Sequence, residues 1–270
     1  MTEPEPITDI DAADRPAEPP AGLGSADLHI HTLASDGVSG VDEVLAAAVA
    51  RGLDVIAIAD HERIDAAVVA QRMAREHDLP LRVIVGEEIT TRNGHLVGLF
   101  MTERIKPWST MRDAVARIHD QGGICIVAHP LVPYPLCASE RTIRRMLDEA
   151  DPARHPDAVE AFNPTTARMR WSRRVPAFVD DIGLAATASS DAHHADSVGR
   201  AITLFRGSTE DDLRAAILAR TTTWQGSAYA WPEQVSMFRR QTAKNIRAVR
   251  DTARHRVLRQ GTGRDLGYPR

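Results

Sequence analysis

The chain has 270 residues, 43% of them hydrophobic and 26% charged, and a formal net charge of −4 at pH 7. This size and composition are typical of one large globular domain, and the small net charge gives no overall reason to expect nucleic acid or a membrane as partner. No apolar run reaches the roughly 18–20 residues that span a bilayer, and no signal-peptide pattern opens the chain, so we expect a cytoplasmic protein.

Both ends of the chain differ in composition from the middle. Residues 1–24 contain six acids, one arginine and five prolines, which predicts a disordered acidic leader. Residues 227–270 are predicted to form a basic, helical extension, because ten Lys/Arg outweigh two Asp from Gln234 onward. Such a helix either presents a solvated charged face or contacts nucleic acid or an anionic membrane surface.

Residues 25–226 alternate short apolar runs with helical segments, the pattern of repeated βα units around a parallel sheet. The predicted strands are 26–30, 54–60, 81–88, 95–100, 123–130, 157–162 and 184–191. The predicted helices are 41–52, 64–78, 110–123, 140–150, 168–183 and 208–220. Pro176 predicts a kink or a late start of the fifth helix, and Ser208 or Thr209 is expected to cap the sixth. Two cysteines, Cys125 and Cys137, are too few for a disulfide framework and are predicted to be reduced and structural.

Polar residues concentrate where these strands end. In "DLHIHTLASDG", His29 and His31 lie two apart and therefore share one face of a strand, and Asp36 follows. Asp60-His61, Glu87-Glu88, His129 and Asp191-Ala192-His193 each follow an apolar run, whereas His95 opens one. The carboxyl ends of parallel barrel strands meet at one rim, where such barrels build their active sites. Each of these residues taken singly can also cap a helix or form an ordinary loop or core hydrogen bond.

Together these positions supply more ligands than one metal ion needs. The candidate metal ligands are His29, His31, Asp36, His61, Glu88, His95, His129, Asp191 and His193. Nine nitrogen and oxygen ligands predict two or three ions with a bridging carboxylate, since one ion takes three or four protein ligands. The absence of thiolate favours Zn, Mn or Fe, and the spread of the ligands along the chain is typical of a catalytic site.

The motifs "DLHIHTLASDG", "IAIADHE", "GEEITTRNGHLVGLF", "AHP" and "SSDAHH" occur in this order between about Ala26 and Trp224. In this combination the chain resembles the PHP (polymerase and histidinol phosphatase) domain superfamily, and especially its small stand-alone metal-dependent phosphoesterases. The resemblance implies a distorted (β/α)7 TIM-like barrel with a trinuclear metal site at the C-terminal rim.

The resemblance also implies a role for each ligand. His29 and His31 would bind the first ion with Asp191; Asp36, His61 and His193 would bind the second; His95 and His129 would complete the third. Glu88, which precedes Ile89-Thr90, would bridge the first and third ions. Asp60 would support His61 or a neighbouring ligand. Glu62 departs from the Asp or Asn that usually follows this histidine, which changes the edge of the pocket.

The chemistry expected of such a site is hydrolysis of a phosphomonoester or phosphodiester of a small molecule or short nucleotide. A water held between two cations has its pKa lowered from ~15.7 towards ~7 and supplies a metal-bridging hydroxide, and no G-x-S-x-G motif offers a serine nucleophile. Asp60, His193 and His129 are the catalytic candidates, with His194 as a further possible acid. Arg92, Arg168 or Arg170, and Arg200 are candidates for holding the substrate phosphate, because a guanidinium fork suits its geometry.

Two other functions fit the same sequence. One is a hydrolase that cleaves a non-phosphate bond on the same metal rim. The other is a metal-binding regulatory module tethered to nucleic acid by the basic extension; the nine filled ligand positions favour hydrolysis over this alternative.

Overall fold

The computed structural model describes residues 22–229, Pro19 and the backbone of Ile7–Asp9. The strands are β1 (Ile7–Asp9), β2 (Leu23–Ile30), β3 (Val55–Ile58), β4 (Arg82–Thr91), β5 (Gly94–Leu99), β6 (Ile124–Val127), β7 (Ala158–Phe162), β8 (Ala185–Ala188), β9 (Ala201–Arg206) and β10 (Thr223–Ser227). The α-helices in this part of the chain are α1 (Val41–Ala50), α2 (Asp65–Glu76), α3 (Met111–Asp120), α4 (Glu140–Leu147), α5 (Val175–Ile182) and α6 (Glu210–Leu218).

The strands form one sheet in the order β1-β10-β9-β2-β3-β4-β5-β6-β7-β8. Strands β2 to β8 curve into a nearly closed barrel, because Ala192, just after β8, pairs in parallel with Ile30 at the end of β2. The Thr203 hydroxyl adds to this closure by bonding both the amide and the carbonyl of Ala188, at 3.0 and 2.9 Å. The predicted TIM-like barrel is therefore confirmed.

The barrel departs from a regular (β/α)7 repeat in two places. Strands β4 and β5 form an antiparallel hairpin without a helix between them, so β5 runs against all the other barrel strands. Beside β2, two antiparallel strands that the sequence analysis did not predict, β9 and β10, extend the sheet. The reversed direction of β5 explains why His95 begins its strand: the start of β5 lies at the rim where the other strands end.

The two faces of the barrel strands have different neighbours because successive side chains alternate. On β3, Ile56 and Ile58 pack with the helices, whereas Val55 and Ala57 join the cluster inside the barrel. Apolar side chains of α6 belong to the same inner cluster, and Arg82 at the start of β4 lies 3.8 Å from Glu210 of α6. Helix α6 therefore covers the N-terminal opening of the barrel and leaves the C-terminal rim to the polar residues.

All the predicted barrel strands and helices are present. Helix α5 begins at Val175 with Pro176 in its first turn, which confirms a late start, and the Thr209 hydroxyl caps α6 by accepting from Asp212 N at 3.1 Å. Two parts of the predicted leader form strand, β1 and the first residues of β2. The rest of the leader, and the basic extension from residue 230, lie outside the described residues and remain predictions. Within the described chain, no helix is long and apolar enough to cross a membrane.

Candidate metal centre

His29 of β2 and His31, the residue after β2, lie inside the barrel because the strand contains a bulge. Ala26 and Asp27 pair with Val55 and Ile56, but Ile30 pairs with Ile58, so β2 carries one extra residue at this point. His29 lies within this bulged stretch and His31 follows it, and both side chains are buried, with their ring centroids 5.0 Å apart. The shared face predicted for His29 and His31 is therefore observed.

The loop after β2 brings Asp36 to the same place. It packs so tightly on β2 that a Cβ on Gly37 would lie 2.6 Å from the carbonyl carbon and oxygen of His31. Only glycine fits this approach without moving the backbone. The carboxylate of Asp36 then lies 3.5 Å from His31 Nδ1.

Glu88 occupies the middle of the histidines. Its Oε2 lies 3.2 Å from His29 Nε2, 3.3 Å from His31 Nε2 and 3.2 Å from His61 Nδ1. Its Oε1 lies 2.7 Å from His95 Nδ1 and 3.1 Å from His129 Nε2. Glu88 thus contacts five of the six candidate histidines.

Glu87 does not share this position. Glu87 precedes Glu88 in β4, so its side chain projects from the opposite face of the strand. There its carboxylate accepts a hydrogen bond from Ile105 N at 2.8 Å. Burial there raises the pKa of Glu87 to about 7. The structure therefore places Glu88, and not Glu87, among the candidate ligands.

The motif after β8 completes the cluster. Asp191 Oδ1 lies 3.4 Å from His31 Nε2 and 3.8 Å from His29 Nε2. His193 Nε2 lies 3.1 Å from Asp36 Oδ2, and His61 Nε2 lies 3.7 Å from the same oxygen. Each set of three residues predicted to share an ion is thus close together in the fold.

Four groups of three side chains place one ligand atom each within 4.8 Å of one another. They are His29, His31 and Glu88; His31, Asp36 and His61; His31, Asp191 and His193; and His61, Glu88 and His95. These four groups do not coincide with the three predicted sets of ligands, and His31 belongs to three of the four groups. How the ligands divide among ions therefore stays a prediction.

The ring nitrogens in the centre suit a cation. His29 Nε2, His31 Nε2 and His95 Nδ1 are buried and form no hydrogen bond with any described group, although carboxylate oxygens lie as close as 2.7 Å. Buried polar nitrogens are rarely left in this state, because an unmade hydrogen bond costs about 1–3 kcal/mol. Nitrogen lone pairs and carboxylates that converge without hydrogen-bond alignment fit a shared divalent ion.

The charges of the centre point the same way. Burial lowers the pKa of His29, but the carboxylates of Glu88 and Asp191 outweigh this effect and raise it well above 6.5. Burial raises the pKa of Glu88, but His61, His29 and His95 hold it well below its usual range. The carboxylates therefore demand positive charge in the centre, which either protons on the histidines or metal ions supply.

Three polar residues next to the ligands were not predicted from the sequence. Glu160 of β7 accepts from His129 N at 2.8 Å and from Asn163 at 2.9 Å, and its other oxygen lies 3.2 Å from His29 Nδ1. Asn163 also donates to Asp191 at 3.2 Å, as does the Thr165 hydroxyl. The available signal was the run "DAVEAFN", in which a glutamate and an asparagine interrupt an apolar strand and its end.

The two residues that flank His61 form hydrogen bonds to the segments that carry the candidate ligands. Asp60 accepts from the Thr32 amide and hydroxyl at 2.8 and 2.6 Å, and also from the Ser35 hydroxyl. Both of its oxygens thus hold the loop that carries Asp36, which favours a positioning role over the predicted catalytic one. Glu62, at the position that departs from the PHP motif, accepts from Thr90 N at 2.9 Å.

The three predicted phosphate-binding arginines have different neighbours. Arg168 donates to the Tyr229 carbonyl at 2.6 Å, and Arg200 donates to the Ala228 carbonyl at 3.3 Å and stacks on the Tyr229 ring. Both guanidinium groups hold the chain after β10, which does not favour a phosphate role. Arg92 is exposed and donates to the Trp108 carbonyl at 2.8 Å.

Both cysteines are free, as expected. Cys125 is buried in β6. Cys137 is half-buried, and its Sγ lies 3.4 Å from His129 Nδ1, so this thiol contacts a candidate ligand.

Comparison with known proteins identifies the family. A profile of the PHP domain matches residues 27–135, and a profile of the PHP-associated segment matches residues 170–222. An uncharacterised protein of Methanocaldococcus jannaschii is 32% identical over 149 residues, which are 51% of this chain and 81% of that protein. The chain belongs to the PHP family.

The chain is also similar to two proteins with more informative descriptions. One is the crystal structure of a two-domain protein from Bacteroides vulgatus that contains a predicted PHP-like metal-dependent phosphoesterase. The match covers 80% of the present chain and 70% of the Bacteroides chain. Its TM-score is 0.61 at 19% identity, which shows a shared fold. A 5'-3' exoribonuclease of Haemophilus influenzae is 40% identical over 77 residues, 27% of this chain and 27% of that protein.

Proposed function

We propose that this PHP-family protein is a metal-dependent phosphoesterase that hydrolyses a phosphomonoester or phosphodiester of a small molecule or short nucleotide. One observation carries the proposal: nine nitrogen- and oxygen-bearing side chains from separate strands converge at the barrel rim, with Glu88 in contact with five histidines. Family membership supports the same reading.

Two or three divalent ions, Mn, Zn or Fe, would be held by His29, His31, Asp36, His61, Glu88, His95, His129, Asp191 and His193. When bound, such ions lower the pKa of water to supply a hydroxide nucleophile and neutralise charge on the phosphate oxygens. The donor set is open to solvent on one side, because 28% of the His61 side chain and 27% of the Asp36 side chain are exposed. Substrate would approach from this side.

The surrounding residues fix which ring nitrogens face the centre. His193 Nδ1 donates to the Asp191 carbonyl at 2.9 Å, which leaves its Nε2 lone pair beside Asp36. His129 is held between Glu88 and Cys137 in the same way. Because both nitrogens of each ring are engaged, these two histidines suit the ligand role better than the predicted role of general acid.

The first test measures bound metal and turnover together. Purified protein is analysed for elemental content and assayed on a panel of phosphomonoesters and phosphodiesters with added Mn²⁺ or Zn²⁺. We expect two or three ions per chain, and we expect His29→Ala and Glu88→Gln to lose both metal and turnover. His119→Ala is the matched control, because His119 bonds Asp157 and lies outside the cluster.

The outcomes separate the alternatives. Full metal content without turnover of any phosphoester would move the assignment to a hydrolase of a non-phosphate bond. A chain without bound metal would reject the metal centre itself. A tethering role for the basic extension predicts a salt-sensitive affinity for nucleic acid that is lost on truncation after Tyr229, which keeps β10 whole, with small-phosphoester turnover retained.

A further inference from the structure

The rim around the metal centre carries exposed aromatic side chains. Trp108 is 59% exposed and Tyr134 is 56% exposed, and they are the large exposed aromatics of the described chain. Single exposed apolar residues are common on protein surfaces and need no explanation. The position of these two, each on a loop bonded to a ligand-bearing segment, does call for one.

Trp108 continues the edge of β4 outward from His61. His61 pairs with Glu88 on this edge, and two residues further along Trp108 N donates to the Thr90 carbonyl at 2.8 Å. Two strand residues correspond to about 7 Å, so the Trp108 backbone lies just outside the centre. The Thr90 hydroxyl lies 3.4 Å from His95 Nε2, which joins this edge to the candidate ligands.

The backbone of Trp108 is held in an unusual conformation. Its φ is +64°, in the left-handed region that bulky residues rarely adopt. Its amide bonds Thr90, and its carbonyl accepts from Arg92 Nε at 2.8 Å. Strained residues persist where the surroundings fix them, and they concentrate at binding sites. Here the strained residue carries an exposed indole, and its backbone carbonyl is bonded by Arg92.

Tyr134 lies on the opposite flank of His95. His95 N donates to the Leu136 carbonyl at 2.9 Å, and Cys137, whose thiol contacts His129, donates from its amide to the Tyr134 carbonyl at 3.3 Å. Across the rim the order is Trp108, Thr90, His95, Leu136. Three strand spacings separate the Trp108 and Leu136 backbones by about 14 Å, so the loops that carry Trp108 and Tyr134 lie on opposite sides of His95.

We propose that Trp108 and Tyr134 are specificity-determining residues that stack on a planar base, with Arg92 beside the Trp108 backbone for phosphate charge, so that the substrate is a nucleotide. This inference rests on the proposed phosphoesterase function. Any nucleobase offers a π-face to an aromatic side chain, whereas a sugar phosphate offers none. A guanidinium bonded to the backbone carbonyl of Trp108 suits a ligand that joins a ring to an anion.

The test compares two substrates that differ only in the base. Metal-loaded wild type, Trp108→Ala, Trp108→Phe and Tyr134→Ala are assayed on adenosine monophosphate and on ribose 5-phosphate. We expect Trp108→Ala to raise KM for the nucleotide by about 5- to 150-fold and to leave KM for ribose 5-phosphate unchanged. Trp108→Phe should retain most of the affinity. Leu218→Ala, equally exposed but on α6 at the other end of the barrel, should change neither value.

A binding measurement keeps the inference separate from turnover. Adenosine monophosphate should quench the tryptophan fluorescence of wild type saturably, and Trp108→Phe should lose most of this quench. Saturable quenching without turnover of any phosphoester would support the stacking residues and reject the phosphoesterase. Equal KM for both substrates, unchanged by Trp108→Ala, would overturn the stacking proposal and leave the phosphoesterase standing. Equal loss on both substrates would likewise overturn base recognition.

Discussion

The buried carboxylate of Glu160 offers a sharp test of how the centre is held. Glu160 is 2% exposed and is surrounded by three donors, His29 Nδ1, the His129 amide and the Asn163 amide. A carboxylate accepts from all three. In Glu160→Gln one oxygen becomes an NH₂ group, so a donor must face a donor in either orientation of the side chain.

The size of the effect follows from those two orientations. With its NH₂ towards His29, the substituted side chain would force the ring proton onto Nε2, which is the atom that faces Glu88 at 3.2 Å and is needed as a ligand. With its NH₂ turned away from His29, the His129 amide and the Asn163 amide lose their shared acceptor. Substitutions that disturb a ligand's outer partner typically lower metal affinity 10- to 100-fold, about 1.4–2.7 kcal/mol.

The assay is a competition of Zn²⁺ or Mn²⁺ between the protein and a chelator at pH 7.5. Glu76→Gln is the matched control, because Glu76 is exposed on α2 and only faces Arg72 at 3.8 Å. We expect the control to bind within threefold of wild type and Glu160→Gln to bind at least tenfold more weakly. Equal affinity of the two variants would refute the reasoning that Glu160 sets the orientation of His29.

Three further perturbations have defined outcomes. Gly37→Ala places a Cβ 2.6 Å from the His31 carbonyl and should displace the loop with Asp36, so elemental analysis should find at least one ion fewer per chain than in wild type. Metal at 100 times its Kd should stabilise the fold by about 2.7 kcal/mol in thermal unfolding, a gain that a chelator removes and that His29→Ala lacks. Hydrogen bonding to Asp157 raises the pKa of His119 above 6.5, so this pair stabilises the fold fully below pH 6.5 and less as the pH rises through the raised pKa. His119→Gln should therefore lose about 1 kcal/mol or less in urea unfolding at pH 6 and little at pH 9, and an equal loss at both would contradict this assignment.

The barrel strands were predicted correctly because the parallel ones are apolar in their first part and polar at or just after their end. On the inner face of β4, Ile84 belongs to the core and Glu88 to the centre, and this change within one strand is visible in the sequence. The same reasoning treated His95 as an exception. A sequence pattern shows a strand's period and not its direction, so the reversal of β5 was beyond its reach.

Glu160 and the strands β9 and β10 were not predicted from the sequence, for different physical reasons. Glu160 sits inside an apolar run, and only the register of β7 decides that its side chain points to the ligands. Strand β9 pairs antiparallel with β2, β10 pairs antiparallel with β9, and polar residues such as Thr203 and Gln225 are buried in them. Strand β10, with the sequence TWQGS, lacks the apolar alternation that identifies a strand, since its burial comes from tertiary contacts.

Closing the barrel and assembling the centre are the same structural event. The backbone bonds that join β2 to the segment after β8 run from His31 N to the Ala192 carbonyl at 2.8 Å and from Ala192 N to the His29 carbonyl at 3.3 Å. The residues that form these two hydrogen bonds are the candidate ligands themselves or their neighbours. Opening this junction separates His29 and His31 from Asp191, so an ion bound between them opposes the opening directly. The carboxylates repel one another and the buried nitrogens go unpaired without positive charge between them, so an ion held here would also stabilise the closed barrel.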